Sequence, residues 1–564
     1  MAINLQSPGI KISERDQIAS VGSVGTTTGA SVGEFGWGPI DEPTLVTSES
    51  DLVKKFGAPT TSNNVDFLSA AAFMAYSASQ YVTRVAEGTA VNATAGGTGI
   101  LVKNDDAYEG TVFAAATHGT WVARHAGVLG NSIKVVMAAN STAYLDASFD
   151  SYRDFFDVAP GTSDYASALG GSDDELHIAV IDEDGEITGV PGSLLEKFEL
   201  VSKASDARGI DSGSNYYVSV VNNESQYIRW AAHPETTTIA INWGTAANGT
   251  AFTDGDDGNV AYDDSLSGGL DGTAITASER IAGIDLIANK FTFDVDVIIC
   301  GQGDATVANK AIAIAEARKD CVAVFSPLKS DVVANAGSES TDIATWADTV
   351  TRSTYGIADS NWKYAYDKYN DVYVWVPVNA DVAGCIARVD ANLDPWFSPA
   401  GYDNGRILNS VRLAWNPAET ERDALYKISV NPVFSQPGRG TVLFGDKTFT
   451  QKKTTFSRIN VRRLFITMQS VIGDSAGDVL FDQNDASTRQ GFVNIVEAYL
   501  RSVQGGRGIQ DFRVICDETN NPDEIVSANG FVCDIFVQPT FSVNFIQLNF
   551  TSVAGAAAFA EIGG

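Results

Sequence analysis

Gly301-Gln302-Gly303 stands between an apolar run at residues 295–300 and a helical pattern at 307–319, where a dinucleotide-binding fold places its glycine loop. Such a loop works by bringing backbone N–H groups close to a pyrophosphate at a helix N-terminus. Here the third glycine position holds Thr306, and Asp304 puts a carboxylate where the phosphate would lie. The spacing reads as a tight strand-to-helix turn. The sequence holds no Gly-x4-Gly-Lys-Ser/Thr loop and no Gly-x-Ser-x-Gly nucleophile elbow. Asp182-Glu183-Asp184-Gly185 and Asp254-Gly255-Asp256-Asp257-Gly258 are rich in carboxylates, but lack the sixth-position glycine and closing glutamate of a calcium loop. They read as solvated turns. His118, His125, His177 and His233 fall into neither His-x3-His nor His-Glu-x2-His spacing, so no zinc site is expected. The reading expects no catalytic residue, no metal and no cofactor.

A chain of 564 residues exceeds one hydrophobic core and points to roughly three or four domains. Its 44% hydrophobic and 19% charged residues are those of a folded protein. A net charge of −32 repels nucleic acid and anionic lipid, which excludes both as partners. The charge is uneven. Between Arg406 and Arg513 there are 15 Lys/Arg and 10 Asp/Glu, whereas Val136 to Lys290 holds 7 against 26. A locally basic region and a strongly acidic one suggest a protein with an inside and an outside. Cys300, Cys321, Cys385, Cys516 and Cys533 form no Cys-x-x-Cys pair and read as reduced, buried thiols. Met1-Ala2-Ile3-Asn4 opens no secretion signal, and no apolar run reaches the roughly 18 residues that span a bilayer. A protein made in a cytoplasm, with no membrane insertion, is expected.

The elements that position these residues alternate in type along the chain. Ile10-Lys11-Ile12-Ser13-Glu14 alternates like a half-buried strand too short to bury itself, so it needs another sheet to join. Helices are predicted at 48–56 and 65–79, and a strand at 80–85. A Thr/Ala/Gly linker follows at 90–98. From about 99 to 272 the texture is short strands and Asp/Gly turns. The α/β rhythm then resumes: helix 278–288, strand 295–300, helix 307–319, strand 321–326, helix 343–353 and strand 372–378. Near the end, Phe541, Val543 and Phe545 alternate, and Leu548 and Phe550 continue on the other parity, as a strand with a bulge at Ile546 would.

Several passages carry a resemblance. They include Asn431-Pro432, Gly438-Arg439-Gly440-Thr441-Val442-Leu443-Phe444-Gly445, Arg458-Ile459-Asn460-Val461-Arg462-Arg463-Leu464-Phe465, Phe481-Asp482-Gln483-Asn484-Asp485 and Gly505-Gly506-Arg507-Gly508. Ser7-Pro8-Gly9-Ile10, Trp121-Val122-Ala123-Arg124-His125-Ala126-Gly127 with Gly130-Asn131, and Trp396-Phe397-Ser398-Pro399-Ala400-Gly401 add to them in the same order. Together they resemble the contractile tail sheath proteins of bacteriophages, of the T-even-like type, related to the sheaths of phage-tail-like bacteriocins. The likeness spans nearly the whole chain and is loosest in the acidic region.

The resemblance implies an α/β and α+β multidomain protein, with an α/β core, a C-terminal α+β domain facing a tail tube, an inserted β-rich outer part, and extended arms at both ends. The expected division is an N-terminal arm at 1–20, an α/β middle domain at 21–95 with 273–400, an acidic insertion at 96–272, a tube-facing domain at 401–540 and a C-terminal arm at 541–564. It implies hexameric rings stacked helically around a tube, contracting irreversibly, with neighbouring subunits, tail tube, baseplate and tail terminator proteins as partners, in a virion tail assembled in the bacterial cytoplasm. Ile10, Ile12, Phe541, Val543, Phe545, Leu548 and Phe550 are the expected inter-subunit strand residues. Arg458, Arg462, Arg463, Arg501 and Arg507 are candidate tube-facing cations, with internal pairing to Asp482, Asp485 and Asp511 as the alternative. Other readings of the chain are a bacteriocin sheath, an acidic surface-layer protein, or a nucleotide-dependent enzyme on the α/β part, the last weakened by the defective glycine loop.

Overall fold

The computed structural model describes residues 27–96, 98–234, 239–252, 259–544 and 547; Ile10, Ile12, Phe545, Leu548 and Phe550 lie outside the described residues. The chain forms two compact units. The larger runs from the first described residue to Asn392 and adds Pro399–Ser457; the smaller takes Leu393–Ser398 and the described residues from Arg458 onward.

A seven-stranded sheet organises the larger unit, in the order Val430–Asn431, Gly356–Asp359, Val322–Phe325, Val297–Ile299, Gly29–Gly33, Gln80–Arg84, Thr44–Val46. All pairings are parallel except the last, where Thr44–Val46 runs against Gln80–Arg84. Parallel strands covered on both faces need unbroken apolar runs. Val297-Ile298-Ile299 and Val322-Ala323-Val324-Phe325 are such runs and are wholly buried. Helix Ala305–Arg318 places Val307, Ala308, Ala311, Ile312 and Ala315 in the same core, the spacing of one helical face. Helix Asn379–Asn392 packs on Asn64–Met74, where Gly384 is required: a Cβ there would lie 2.2 Å from the Tyr76 ring.

The acidic insertion enters and leaves side by side. Val91 and Leu270 exchange backbone hydrogen bonds, each 2.9 Å, and Thr94 pairs with Ser267 in the same way. Between them lies a four-stranded antiparallel sheet in the order Ser193–Ser202, Glu175–Asp182, Ile133–Ala138, Tyr262–Ser265. The insertion is not purely β: helices Asp105–Thr111 and Tyr217–Glu224 close it, the latter on the Trp121, Tyr217, Trp230 and Trp243 core. Arg84 pins its stem, donating to Gly38 O at 2.9 Å and Ala126 O at 2.7 Å; burial pulls its guanidinium down to about 10.

The predicted helices and strands of the α/β part are present, with ends shifted by a few residues. Helix 65–79 is the shorter Asn64–Met74, because Ser77 leaves the helix to donate its hydroxyl to Thr27 O. Residues 401–457, expected with the C-terminal domain, belong to the larger unit. Val430–Asn431 is the edge strand of its sheet, and Asn431 donates to Ala358 O at 3.0 Å. The units divide after Ser457.

Candidate assembly interface

Several of the positions that suggested chemistry are engaged in local contacts. Asp304 accepts from Thr306 N and Val307 N, 2.9 and 3.1 Å away, and so caps the helix end a phosphate would need. Gln302 donates to Asp66, whose other oxygen holds the buried Arg280 guanidinium at 2.7 Å. Asp182 receives Ser132 Oγ, Gly185 N, Ile187 N and the Thr188 N and Oγ1, so its loop closes on itself. Burial pushes that carboxyl up, but these bonds hold it below its ordinary range. Asp254 to Asp257 lie outside the described residues. His177 accepts Leu200 N at Nδ1, donates Nε2 to Val158 O, and stacks on Phe156 with centroids 4.4 Å apart. Burial pushes His233 down to about 4 and takes His125 well below its ordinary value. Among the described residues no group of three His, Cys, Asp or Glu is placed to hold a metal.

The smaller unit is organised by two long helices and a two-stranded sheet. Helices Ile459–Gly477 and Ala486–Gly505 pack through Leu464, Met468, Phe492, Val496, Tyr499, Leu500 and Val503, spaced three or four apart as one apolar stripe demands. Asp485 caps the second helix by accepting Thr488 N at 2.8 Å. Strands Ile509–Ile515 and Asp534–Pro539 lie on this pair as an antiparallel hairpin. Phe512, Val514, Ile535 and Val537 alternate toward the helices, leaving Arg513 and Phe536 outward. Trp396 anchors the join: its Nε1 donates to Gly506 O at 2.9 Å, and a Cβ at Gly508 would lie 2.8 Å from Val503 and 2.9 Å from the indole. Sequence reasoning passed over this hairpin and its anchor, although the period-two run Ile535-Phe536-Val537 opposite Phe512-Arg513-Val514 carried the signal.

Among the described residues each hairpin strand has one strand neighbour and an outer edge that carries no second strand. The chain leaves along this sheet: Thr540 N donates to Gly508 O at 3.0 Å, and beyond it Phe541 is 53% and Val543 80% exposed. The described part, 541–544, carries no strand assignment of its own.

The five arginines separate. Arg462 and Arg463, two of the candidate tube-facing cations, are buried in the single chain, and Arg463 donates to Pro395 O. Arg458, at the helix start, is half-buried. Arg501 and Arg507 are exposed; Arg501 pairs with Glu497 at 2.8 Å, one helical turn away, rather than with Asp482, Asp485 or Asp511. Arg507 lies over the Phe397 ring, 5.5 Å from its centre.

Comparison with known proteins decides the family. The model described as phage tail sheath protein central domain matches residues 273–449, the tail sheath C-terminal domain matches 451–552, and the tail sheath protein Gp18 domain III N-terminal region matches 26–85. The tail sheath protein of Vibrio phage KVP40 is 31% identical, over 99% of this chain and 100% of its own length.

The chain belongs to the phage tail sheath family.

The tail sheath protein of Enterobacteria phage T4 is also 31% identical, with both chains covered in full. Among solved structures, the sheath tail protein from Listeria innocua shares the fold with a TM-score of 0.55, at 13% identity over 92% of each chain. That from Desulfitobacterium hafniense gives 0.51 at 12% identity, over 91% of this chain and 94% of its own. The multidomain α+β class read from the sequence is the fold that these sheath proteins share. The boundary between the two sheath models, at residues 449 and 451, falls close to the division between the two units.

Proposed function

We propose that the chain is the structural subunit of a contractile virion tail. It polymerises as stacked hexameric rings around a tail tube and contracts irreversibly to drive the tube through the host envelope, with no catalytic step. The observation that carries the reading is the open hairpin Ile509–Ile515 with Asp534–Pro539, which ends in an exposed apolar segment. An arm of one subunit adds as a strand to the hairpin of another, main-chain bonds giving affinity and alternate side chains giving register. Ile10, Ile12, Phe541, Val543, Phe545, Leu548 and Phe550 supply the arm strands. A mesh tied in this way stays connected while its units move as rigid bodies.

No fuel-binding motif is present in the sequence, so the energy of contraction is stored on assembly as a kinetically trapped extended state. The acidic insertion faces outward, and Arg501 and Arg507, together with the half-buried Arg458, meet the tube. Exposed ion pairs of about 0–1 kcal/mol each suit a sheath that must let go of its tube. Baseplate and terminator proteins bound the stack, which assembles in the bacterial cytoplasm.

Negative-stain electron microscopy of the full chain, and of a chain lacking residues 1–20, tests the reading. Regular hollow tubes from the full chain, absent after truncation, are expected. Dispersed particles from both forms, even beside added tail tube, would overturn it.

A further inference from the structure

Two of the five cysteines face each other. Ile515 and Asp534 are the last register partners of the open hairpin, and the next residues outward on the two strands are Cys516 and Cys533. Both continue the inward-facing alternation of Val514 and Ile535, with Cys516 buried and Cys533 packed on the same core. The loop beyond them holds this arrangement with two asparagines. Asn520 donates to Ile515 O at 2.6 Å and to Asp534 Oδ2 at 3.2 Å, and accepts Asp517 N at 3.0 Å. Asn521, itself buried, donates to Val532 O at 2.8 Å and accepts Val532 N at 2.7 Å. The four residues that flank the two cysteines, Ile515, Asp517, Val532 and Asp534, are thus fixed by side chains from one short turn. Cys300, Cys321 and Cys385 are buried in the other unit, the first two in one apolar core and Cys385 with its thiol donating to Arg406 O.

We propose that Cys516 and Cys533 form an oxidisable dithiol, closed to an intrachain disulfide by a peroxide once the protein leaves a reducing cytoplasm. In the balanced reaction one thiolate attacks the peroxide oxygen and breaks its O–O bond, giving a sulfenic acid and hydroxide, which takes up the proton the thiol had released and leaves as water. The second thiol then displaces hydroxide from that sulfur as a second water, so two thiols and one peroxide become one disulfide and two waters. Cys533 is the more accessible of the two, and Cys516 is buried. Burial raises both thiols, Cys533 to about 12, so the thiolate is scarce and closure is slow and faster in alkali.

The disulfide closes the mouth of the hairpin, where its strands part into the 517–532 loop. A two-stranded sheet is marginal alone, and cross-linking its open end removes the unzipped states from competition. Its use rests on the proposed docking of arms on this hairpin: a stapled platform resists peeling when neighbouring subunits pull on it. Formation of the bond does not depend on that reading.

The full chain is treated with hydrogen peroxide at neutral and alkaline pH, alkylated before and after denaturation, and mapped by mass spectrometry without reduction. The expected result is one linked peptide joining Cys516 and Cys533, lighter by two hydrogens, with Cys300, Cys321 and Cys385 alkylated only after denaturation. The melting transition of the oxidised chain should rise by several degrees and fall back with dithiothreitol. Cys516→Ser and Cys533→Ser should each abolish the linked peptide and the shift while melting like the reduced parent. Separate thiols, separate sulfonic acids, or disulfides only between chains would overturn the proposal. Failure of the oxidised and reduced chains alike to form tubes would count against the assembly reading and leave the dithiol standing; tubes without the linked peptide would do the reverse.

Discussion

Asp359 ends a central strand of the larger unit with its carboxyl wholly buried, accepting Ser326 Oγ at 2.7 Å and Asn361 N at 3.0 Å. Burial, helped by the charge of Asp381, raises it to about 7 against the pull of those bonds. The folded chain therefore holds this proton in a range where the unfolded chain has released it. That contribution is complete below the ordinary carboxylate range, is lost as pH climbs to about 7, and stays lost above. Urea midpoints of the parent should fall between pH of about 4 and 8, and Asp359→Asn should remove on the order of 2–4 kcal/mol of that dependence. An unchanged slope in the variant would assign the dependence elsewhere. Little of this was legible in the sequence. Asp359 is one of 70 acidic residues, and only the sheet decides which of them lose water.

Glycine positions and strand edges act at the scale of elements. Helix Ala486–Gly505 stops at Gly505-Gly506-Arg507-Gly508, where glycines end a helix cheaply. That Gly508 must also leave room for Trp396, more than a hundred residues earlier in the chain, is a matter of packing. Gly508→Ala should cost about 1–3 kcal/mol through overpacking, read as an earlier melting transition of the smaller unit. Exposed positions behave differently. Phe541→Lys with Val543→Lys, both on the surface of the single chain, should leave its stability within about 0.5 kcal/mol. The same pair should abolish tubes in the microscope, because a charged segment cannot add as a half-buried strand. Tubes of normal length would remove Phe541 and Val543 from the proposed arm. The arginines teach the converse. Arg458, Arg462 and Arg463 are close in sequence, yet a helix turns the last two inward and leaves the first half-buried at its start. Spacing on a helix was readable, but which face meets the core was not.

For the whole molecule, charge is the governing quantity. Subunits with a net charge of −32 repel one another, and salt shortens the range of that repulsion from about 10 Å at 0.1 M to about 3 Å at 1 M. Tube formation, followed by light scattering, should rise with salt over this range. A fall would mean that inter-subunit ion pairs outweigh the net repulsion.

By itself the sequence determined the alternation of helices and apolar strands, the acidic insertion, the absence of nucleotide-binding and nucleophile motifs, and the family, through motifs such as Trp396 to Gly401 and Phe481 to Asp485 met in order. These are local in origin: each depends on residue type, period and spacing along a single stretch of chain. Tertiary structure alone decided that Val430–Asn431 closes the parallel sheet, and that Lys363 and Asp381 meet in the interior at 2.8 Å. It also decided that Arg462 and Arg463 are core residues, and that an open hairpin brings Cys516 to Cys533. Each of these joins positions distant in sequence, and burial, not residue type, sets what the groups there can do.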